Sequence, residues 1–161
     1  AAGPAAGRRA AERSTRYMMY DPQVVKPMRE ELVRVGATEL LTGDAVDEVL
    51  GENGPKGTTL VVVNSVCGCA AANARPAVAI ARGHAVQPDR IVTVFAGQDT
   101  EATERARSYM VGYRPSSPSI ALFRDGEHVF MLERHQIEGR AAPAIAEDLR
   151  DAYDKYCGAA V

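Results

Sequence analysis

Residues Thr58 to Asn64, Thr-Thr-Leu-Val-Val-Val-Asn, are nearly continuously apolar and β-branched, and within a few residues they give way to the alanine-rich stretch Ala70 to Ala81. A strand with one face in water alternates apolar with polar side chains. An unbroken run of this length reads instead as a strand covered on both faces, as in a parallel sheet between helices. Seven alanines between residues 70 and 81 suit a helix packed closely against that sheet, with Pro76 expected to kink it and Gly83 to end it.

The rest of the chain repeats this alternation. Val24, Met28, Leu32 and Val35 recur at helical spacing before Gly36, with the helix start open between Asp21-Pro22 and Pro27. Glu39 to Thr42 is a candidate short strand. Asp44 to Leu50 reads as a helix with Val46, Val49 and Leu50 apolar, and Asn53-Gly54-Pro55 as a turn. Ile91 to Ala96 is a second buried strand, and Thr100 to Met110 a helix with Ala102, Ala106, Tyr109 and Met110 on one side. Ile120 to Phe123 and His128 to Leu132 flank Asp125-Gly126, a strong hairpin signal. Ile145, Leu149, Ala152, Tyr153 and Tyr156 mark a final helix. Parallel strands need crossovers while the hairpin adds an antiparallel pair, so the expected fold is α/β: a mixed central sheet with helices on both faces. No internal repeat or second domain is apparent in the pattern.

With 161 residues, 46% apolar and 25% charged, the chain has the makings of one domain with a substantial core. Its net charge is -2, but residues 1 to 16 hold Arg8, Arg9, Arg13 and Arg16 against Glu12, leaving 15 basic and 20 acidic residues in the remainder. A mildly acidic domain argues against nucleic acid as a partner. Nothing in the sequence approaches the run of about 18 apolar residues that spans a membrane. Residues 1 to 16 contain no apolar h-region and are expected to be a flexible extension or a cloning remnant, an organelle transit peptide being the alternative, with the domain at 17 to 161 and a cytoplasmic location. The residues select no oligomeric state.

The chemistry centres on Cys67-Gly68-Cys69, at the strand-helix junction. The N–H groups and dipole of a helix N-terminus lower a cysteine pKa, and the thiolate is the form that attacks disulfides or holds metals. Three cysteines is an odd count for a stapled secreted framework and points to redox or metal chemistry in a reducing compartment. Two buried structural thiols are one competing reading. Half of a zinc or copper site is another, although neither His128 nor His135 lies in a paired ligand spacing and no second Cys-x-Cys is present, so no metal is expected. Asn64 and Ser65 are placed either to hydrogen-bond near the thiolate or to cap the helix. Cys157 reads as an apolar position on the last helix, with a second resolving thiol as the alternative, and His84 as a loop residue.

The segment Ser117-Pro118-Ser119-Ile120-Ala121-Leu122-Phe123-Arg124-Asp125-Gly126-Glu127, with the element order, is similar to the thioredoxin segment that sets a cis-proline beside the redox cysteines and runs into the hairpin. More narrowly, Asn64-Ser65-Val66-Cys67-Gly68-Cys69-Ala70, Pro27-Met28-Arg29-Glu30-Glu31-Leu32 and Arg134-His135-Gln136-Ile137-Glu138-Gly139-Arg140 resemble the bacilliredoxin family, from about Met19 to Cys157. The resemblance implies a thioredoxin-like fold with an N-terminal helical and β-α extension. It implies a cytosolic thiol-disulfide oxidoreductase that removes bacillithiol, a small anionic thiol, from S-thiolated cytosolic proteins, with protein disulfide isomerase activity as an alternative and a metal-binding or non-catalytic thiol partner protein as a further one. Cys67 would then attack and Cys69 resolve, Ser117 and Pro118 would meet the substrate, and bacillithiol would serve as co-substrate without a resident cofactor. Two departures from thioredoxin matter. A Cys-x-Cys bridge closes a smaller ring than Cys-x-x-Cys, which should make the oxidised pair easier to reduce. Thioredoxins carry a buried acid a few residues before the first cysteine, where this chain has Val61, Val62 and Val63, leaving proton transfer to water or another residue. Arg114, Arg134, His135 and Arg140 could attract the carboxylates of an anionic thiol.

Overall fold

The structure, a computed structural model, describes residues 19–158. The extension expected at residues 1 to 16 lies outside them. The elements run α1 (Pro22–Val33), β1 (Ala37–Glu39), α2 (Gly43–Leu50), β2 (Thr58–Asn64), a π-helical turn (Ala70–Ala74) leading into α3 (Arg75–Ala81), β3 (Arg90–Phe95), α4 (Thr100–Ser108), β4 (Ser119–Arg124), β5 (Glu127–Leu132), α5 (Arg134–Ile137) and α6 (Ala142–Tyr156). The five strands form one sheet in the order β1-β3-β2-β4-β5. β3 runs parallel to β1 and β2, whereas β4 is antiparallel to both β2 and β5.

The apolar run of β2 has a simple cause. All seven of its residues are buried, and successive side chains enter different cores. Leu60 and Val62 pack with Ile91, Ile120 and Leu122 under α1, α3 and α6. Val61 and Val63 pack with Val92, Val94, Ala121 and Phe123 under α2 and α4. The alanines of the central helix allow close approach on the first face, where Ala74, Ala77 and Ala81 are sealed from solvent together with Val78.

Several local expectations shift. The first helix starts at Pro22 behind an Asp21 cap, whose carboxylate accepts the Gln23 N–H at 2.8 Å, so Pro27 lies inside it. Its buried stripe contains Val25 and Leu32, while Val24 is exposed, because Val25 is one full heptad step before Leu32. The strand expected at Glu39 to Thr42 is instead Ala37–Glu39, and Thr42 caps α2 by accepting the Ala45 N–H at 3.1 Å. The disturbance expected from Pro76 takes the form of the π-helical turn immediately before it, closed by the Arg75 N–H on the Ala70 carbonyl. In a regular α-helix the proline ring would clash with the carbonyl of Ala72, and widening the preceding turn is one way to relieve this. His84, read as a loop residue, pairs with Asp154 of α6 at 2.7 Å. Among the described residues no helix is long and apolar enough to cross a membrane.

Candidate active site

β2 delivers the chain to the site. After Asn64 the backbone leaves the sheet, and helical backbone resumes at Gly68, so Cys67 sits at the junction and Cys69 in the first turn. The N–H groups of Ala70 and Ala71 fold back on the Cys67 carbonyl at 3.1 and 3.3 Å, fixing this turn. Cys67, Cys69 and Cys157 are each partly exposed and none is disulfide-bonded. Gly68 is exposed, and a Cβ added there would meet nothing within 4 Å, which leaves the approach to both thiols open.

The two thiols are electrostatically unequal. Burial pushes the Cys67 thiol up, but the Ser65 hydroxyl, the backbone N–H groups of Ala70 and Cys69, and the charge of Arg134 outweigh it and hold Cys67 below the ordinary thiol value. The Ser65 hydroxyl lies 3.2 Å from Cys67 Sγ and accepts the Cys67 N–H at 3.4 Å, so its own proton is free to donate to sulfur. Of the two roles open to it in the sequence, Ser65 takes the bond to the thiol and not the helix cap, since the helix start carries no side-chain cap bond. Cys69 is shifted the opposite way: burial raises it first, then the neighbouring charge of Cys67 and that of Glu138, against a smaller opposing effect from Arg134.

Behind this turn lies a polar group that sequence reasoning missed. Arg75 is 4% exposed. Its Nη1 donates to Asn64 Oδ1 and to the Ser65 carbonyl, both at 3.0 Å, and its Nε to Glu31 of α1. Asn64 Oδ1 also accepts the Ser65 N–H at 2.9 Å, and Asn64 Nδ2 donates to the Met28 carbonyl at 3.2 Å. α1 is in turn fastened to the sheet by Arg29, which reaches Asp99 at 2.7 Å and Glu39 at 3.0 Å and lies over the Phe95 ring. The signal in the sequence is a charged residue inside an otherwise alanine-rich stretch read as a buried helix.

The second wall is the loop before β4. The Ser117-Pro118 bond is cis, and Pro118 is buried. Because Val63 pairs with Ser119, the antiparallel register sets this loop at the edge where β2 releases the cysteine turn. Two arginines hold it. Arg107 of α4 donates to the Ser116 carbonyl at 3.3 Å, and Arg134 of α5 donates to the Ser117 carbonyl at 3.4 Å. The structure thus brings Cys67, Cys69, Ser117 and Pro118 to one edge, with Arg134 acting on both thiols and touching the loop. Alongside runs an open cleft of about 550 Å3 lined by Arg114, Arg134, Glu133 and Glu138, with the His135 ring. Arg140 takes no part in it, since its guanidinium is turned to Asp148 at 2.6 Å and to the Gln136 carbonyl.

Cys157 is elsewhere. It is half-buried against the core, close to Thr58 at the opposite end of β2 from Asn64, and burial pushes its thiol up. Seven strand residues separate the two places by roughly 20 Å at about 3.3 Å per residue. His128 lies away from the cysteines in the fold's packing: it stacks on Phe123 with ring centroids 4.9 Å apart and meets Tyr113 edge-on at 5.2 Å. Among the described residues no cluster of three or more His, Cys, Asp or Glu is arranged to hold a metal ion.

The disulphide isomerase family model matches residues 20–157. A bacilliredoxin of Salinibacter ruber is 56% identical over 142 residues, covering 88% of this chain and 83% of that protein. One from Koribacter versatilis is 54% identical over 141 residues, covering 88% of this chain and 96% of its own length. A Staphylococcus aureus bacilliredoxin is 51% identical over 88% of this chain and 95% of its own. Among solved structures, the thioredoxin of Malassezia sympodialis superposes with a TM-score of 0.52 at 15% identity, over 76% of this chain and 92% of that one. A mutant thioredoxin of Halobacterium salinarum gives 0.51 at 19% identity, over 79% and 96%. These structural likenesses make the fold thioredoxin-like.

Proposed function

The chain belongs to the bacilliredoxin family and is a thiol-disulfide redox protein, and from that premise we propose that it removes bacillithiol from protein mixed disulfides in the cytosol through Cys67 and Cys69. The observation that carries this reading is the asymmetry of the pair: Cys67 is held below the ordinary thiol value beside the Ser65 hydroxyl, while its neighbour Cys69 is held above it. The more acidic thiol supplies the nucleophile at neutral pH, and the less acidic one stays protonated until needed.

In the proposed sequence the Cys67 thiolate attacks the bacillithiol sulfur of the mixed disulfide. The S–S bond to the target breaks, the target protein leaves as a thiolate and takes up a proton, and a Cys67-bacillithiol disulfide remains. Cys69, on losing its proton, then attacks Cys67 Sγ; bacillithiol leaves as the thiolate, and the pair is left as a Cys67-Cys69 disulfide. Two reducing equivalents from small thiols return it to the dithiol. Alternatively a second bacillithiol attacks the bacillithiol sulfur on Cys67, releasing bacillithiol disulfide and restoring the Cys67 thiolate. Neither route uses a metal or a resident cofactor.

Ser117 and Pro118 would form the wall against which the substrate backbone lies, and Arg134, with Arg114 across the cleft, would favour carboxylates on the small thiol. The partners are accordingly S-thiolated proteins and the anionic thiol, with neither nucleic acid nor membrane required. The family model's description favours disulfide isomerisation as a second reading. Side-by-side rates on one protein carrying bacillithiol or glutathione, with insulin reduction as a third arm, separate these readings. Fastest release of bacillithiol is expected, and Arg134→Ala should narrow its lead over glutathione. Equal or greater activity on the glutathionylated protein would move the assignment to a glutaredoxin-like or general disulfide role.

A further inference from the structure

The environment of Arg75 is unusual for a charge with no substrate to meet. A buried guanidinium is unfavourable unless its donors are well matched, and replacing such a group with apolar side chains is often neutral or stabilising. Here the donors converge on one place. Nη1 reaches both Asn64 Oδ1 and the Ser65 carbonyl at 3.0 Å, while Nε is anchored on Glu31. Asn64 Oδ1 holds the Ser65 N–H at 2.9 Å. Both backbone polar groups of Ser65 are therefore fixed, one directly by Arg75 and the other by an amide oxygen that Arg75 also holds. The only free polar atom of Ser65 is its hydroxyl, which spans Cys67 N and Cys67 Sγ.

We propose that Arg75 is a positioning residue for the redox chemistry: through Asn64 and Ser65 it holds the Ser65 hydroxyl on Cys67 Sγ and so sets the reactivity of the attacking thiol. Arg75 need not touch the substrate. It lies on the inner side of the turn, in contact with the last residue of β2, and its helix begins where the π-helical turn ends. A lysine at this position keeps the charge but lacks the planar fork that reaches two acceptors and Glu31 together. The proposal concerns Cys67 alone and does not depend on which small thiol the protein accepts.

The test measures the pH dependence of iodoacetamide alkylation of Cys67 in a Cys69→Ser, Cys157→Ser background, where one thiol reports. The other charged or titratable groups that face the pair, Arg134 and Glu138, are left intact throughout. Ser65→Ala and Arg75→Lys should each raise the alkylation midpoint, by about half a pH unit or more, equivalent to roughly threefold less thiolate well below the midpoint. In the Ser65→Ala background, Arg75→Lys should add little, because the hydroxyl through which it acts is gone. Circular dichroism and urea unfolding establish that each variant is folded. Glu31→Gln, which weakens the anchor on Arg75 Nε and so loosens the guanidinium over the turn, serves as the second variant if Arg75→Lys fails to fold, and should give a smaller shift in the same direction that Ser65→Ala again abolishes. An unshifted midpoint in a folded variant, or shifts that add fully in the double variant, would overturn the proposal. Because the readout is alkylation, it stands apart from the bacillithiol assay, and failure of either leaves the other interpretable.

Discussion

A thiolate is stabilised only by what points at it, and around Cys67 the groups are few: one hydroxyl, two backbone N–H groups and one arginine at the edge of the cleft. Under the proposed function that inventory assigns the cysteines unequal tasks. Cys67→Ser is expected to abolish formation of any mixed disulfide at this site, whereas Cys69→Ser should accumulate one on Cys67, because the thiol that would release it is missing. Intact-mass spectrometry after incubation with an S-thiolated model protein reads both, and trapping only in Cys67→Ser would reverse the order. A different titration governs His128, which burial between Phe123 and Tyr113 holds below the ordinary imidazole value despite the bond its Nε2–H donates to the Phe130 carbonyl. Its folded pKa is depressed, so the folded state binds that proton less readily than the unfolded chain. The stability this contributes is present above the unfolded value near 6.5 and is lost as pH falls through the lower folded value. Urea midpoints measured from pH 7 to 5 should therefore fall, and His128→Phe, which keeps the stack, should flatten the decline. A variant falling as steeply as the parent would assign the acid sensitivity to other groups.

Elements tolerate less ambiguity than residues because periodicity and turn chemistry must agree. The hairpin shows this: Asp125 and Gly126 take φ values of 51° and 81°, and Arg124 pairs directly with Glu127, the two-residue turn whose twist suits antiparallel strands. A Cβ on Gly126 would meet nothing within 4 Å, so the effect of Gly126→Ala is purely conformational. It should destabilise by about 1–2 kcal/mol in equilibrium urea unfolding. A loss below about 0.3 kcal/mol would mean that the turn relaxes to another type, against the usual left-handed penalty. The same agreement explains what was legible in advance. β2 is legible over its full range, because burial on both faces leaves a continuous apolar run and no competing helical period. α5 is not legible: four residues held by reciprocal bonds between Glu133 and Gln136 carry no periodicity. The sequence sets the short β1 too far toward Thr42 because three edge residues leave almost no pattern, and the cap that follows resembles strand.

At the scale of the whole molecule, the end of the sheet where β2 finishes carries the cysteine turn and the cis-proline loop, and the other end carries Cys157. The cysteine turn and the cis-proline loop were both legible, since each is a contiguous motif, but the groups that hold them are not contiguous with anything. Arg107 is on α4, Arg134 on α5, Glu31 on α1 and Arg75 beyond the π-helical turn, and only the parallel and antiparallel registers around β2 bring their contacts to one edge. The far end holds Cys157, half-buried near Thr58 with its thiol pushed up by burial, which makes it a poor nucleophile at neutral pH as well as a distant one. Distance and acidity thus argue the same way. Cys157→Ser should leave the single-turnover rate of mixed-disulfide reduction within about twofold of the parent, because a thiol kept neutral by burial is not a competent attacker. The substitution should be felt in stability instead, since a hydroxyl packed against the core around Tyr153 is less at home there than a thiol; a loss of about 0.5–2 kcal/mol is expected from the polar group's desolvation. Stopped-flow reduction and urea unfolding on the same preparation separate the two effects. A tenfold fall in rate with stability unchanged would bring Cys157 into the reaction and require the last helix to move its thiol the length of the sheet.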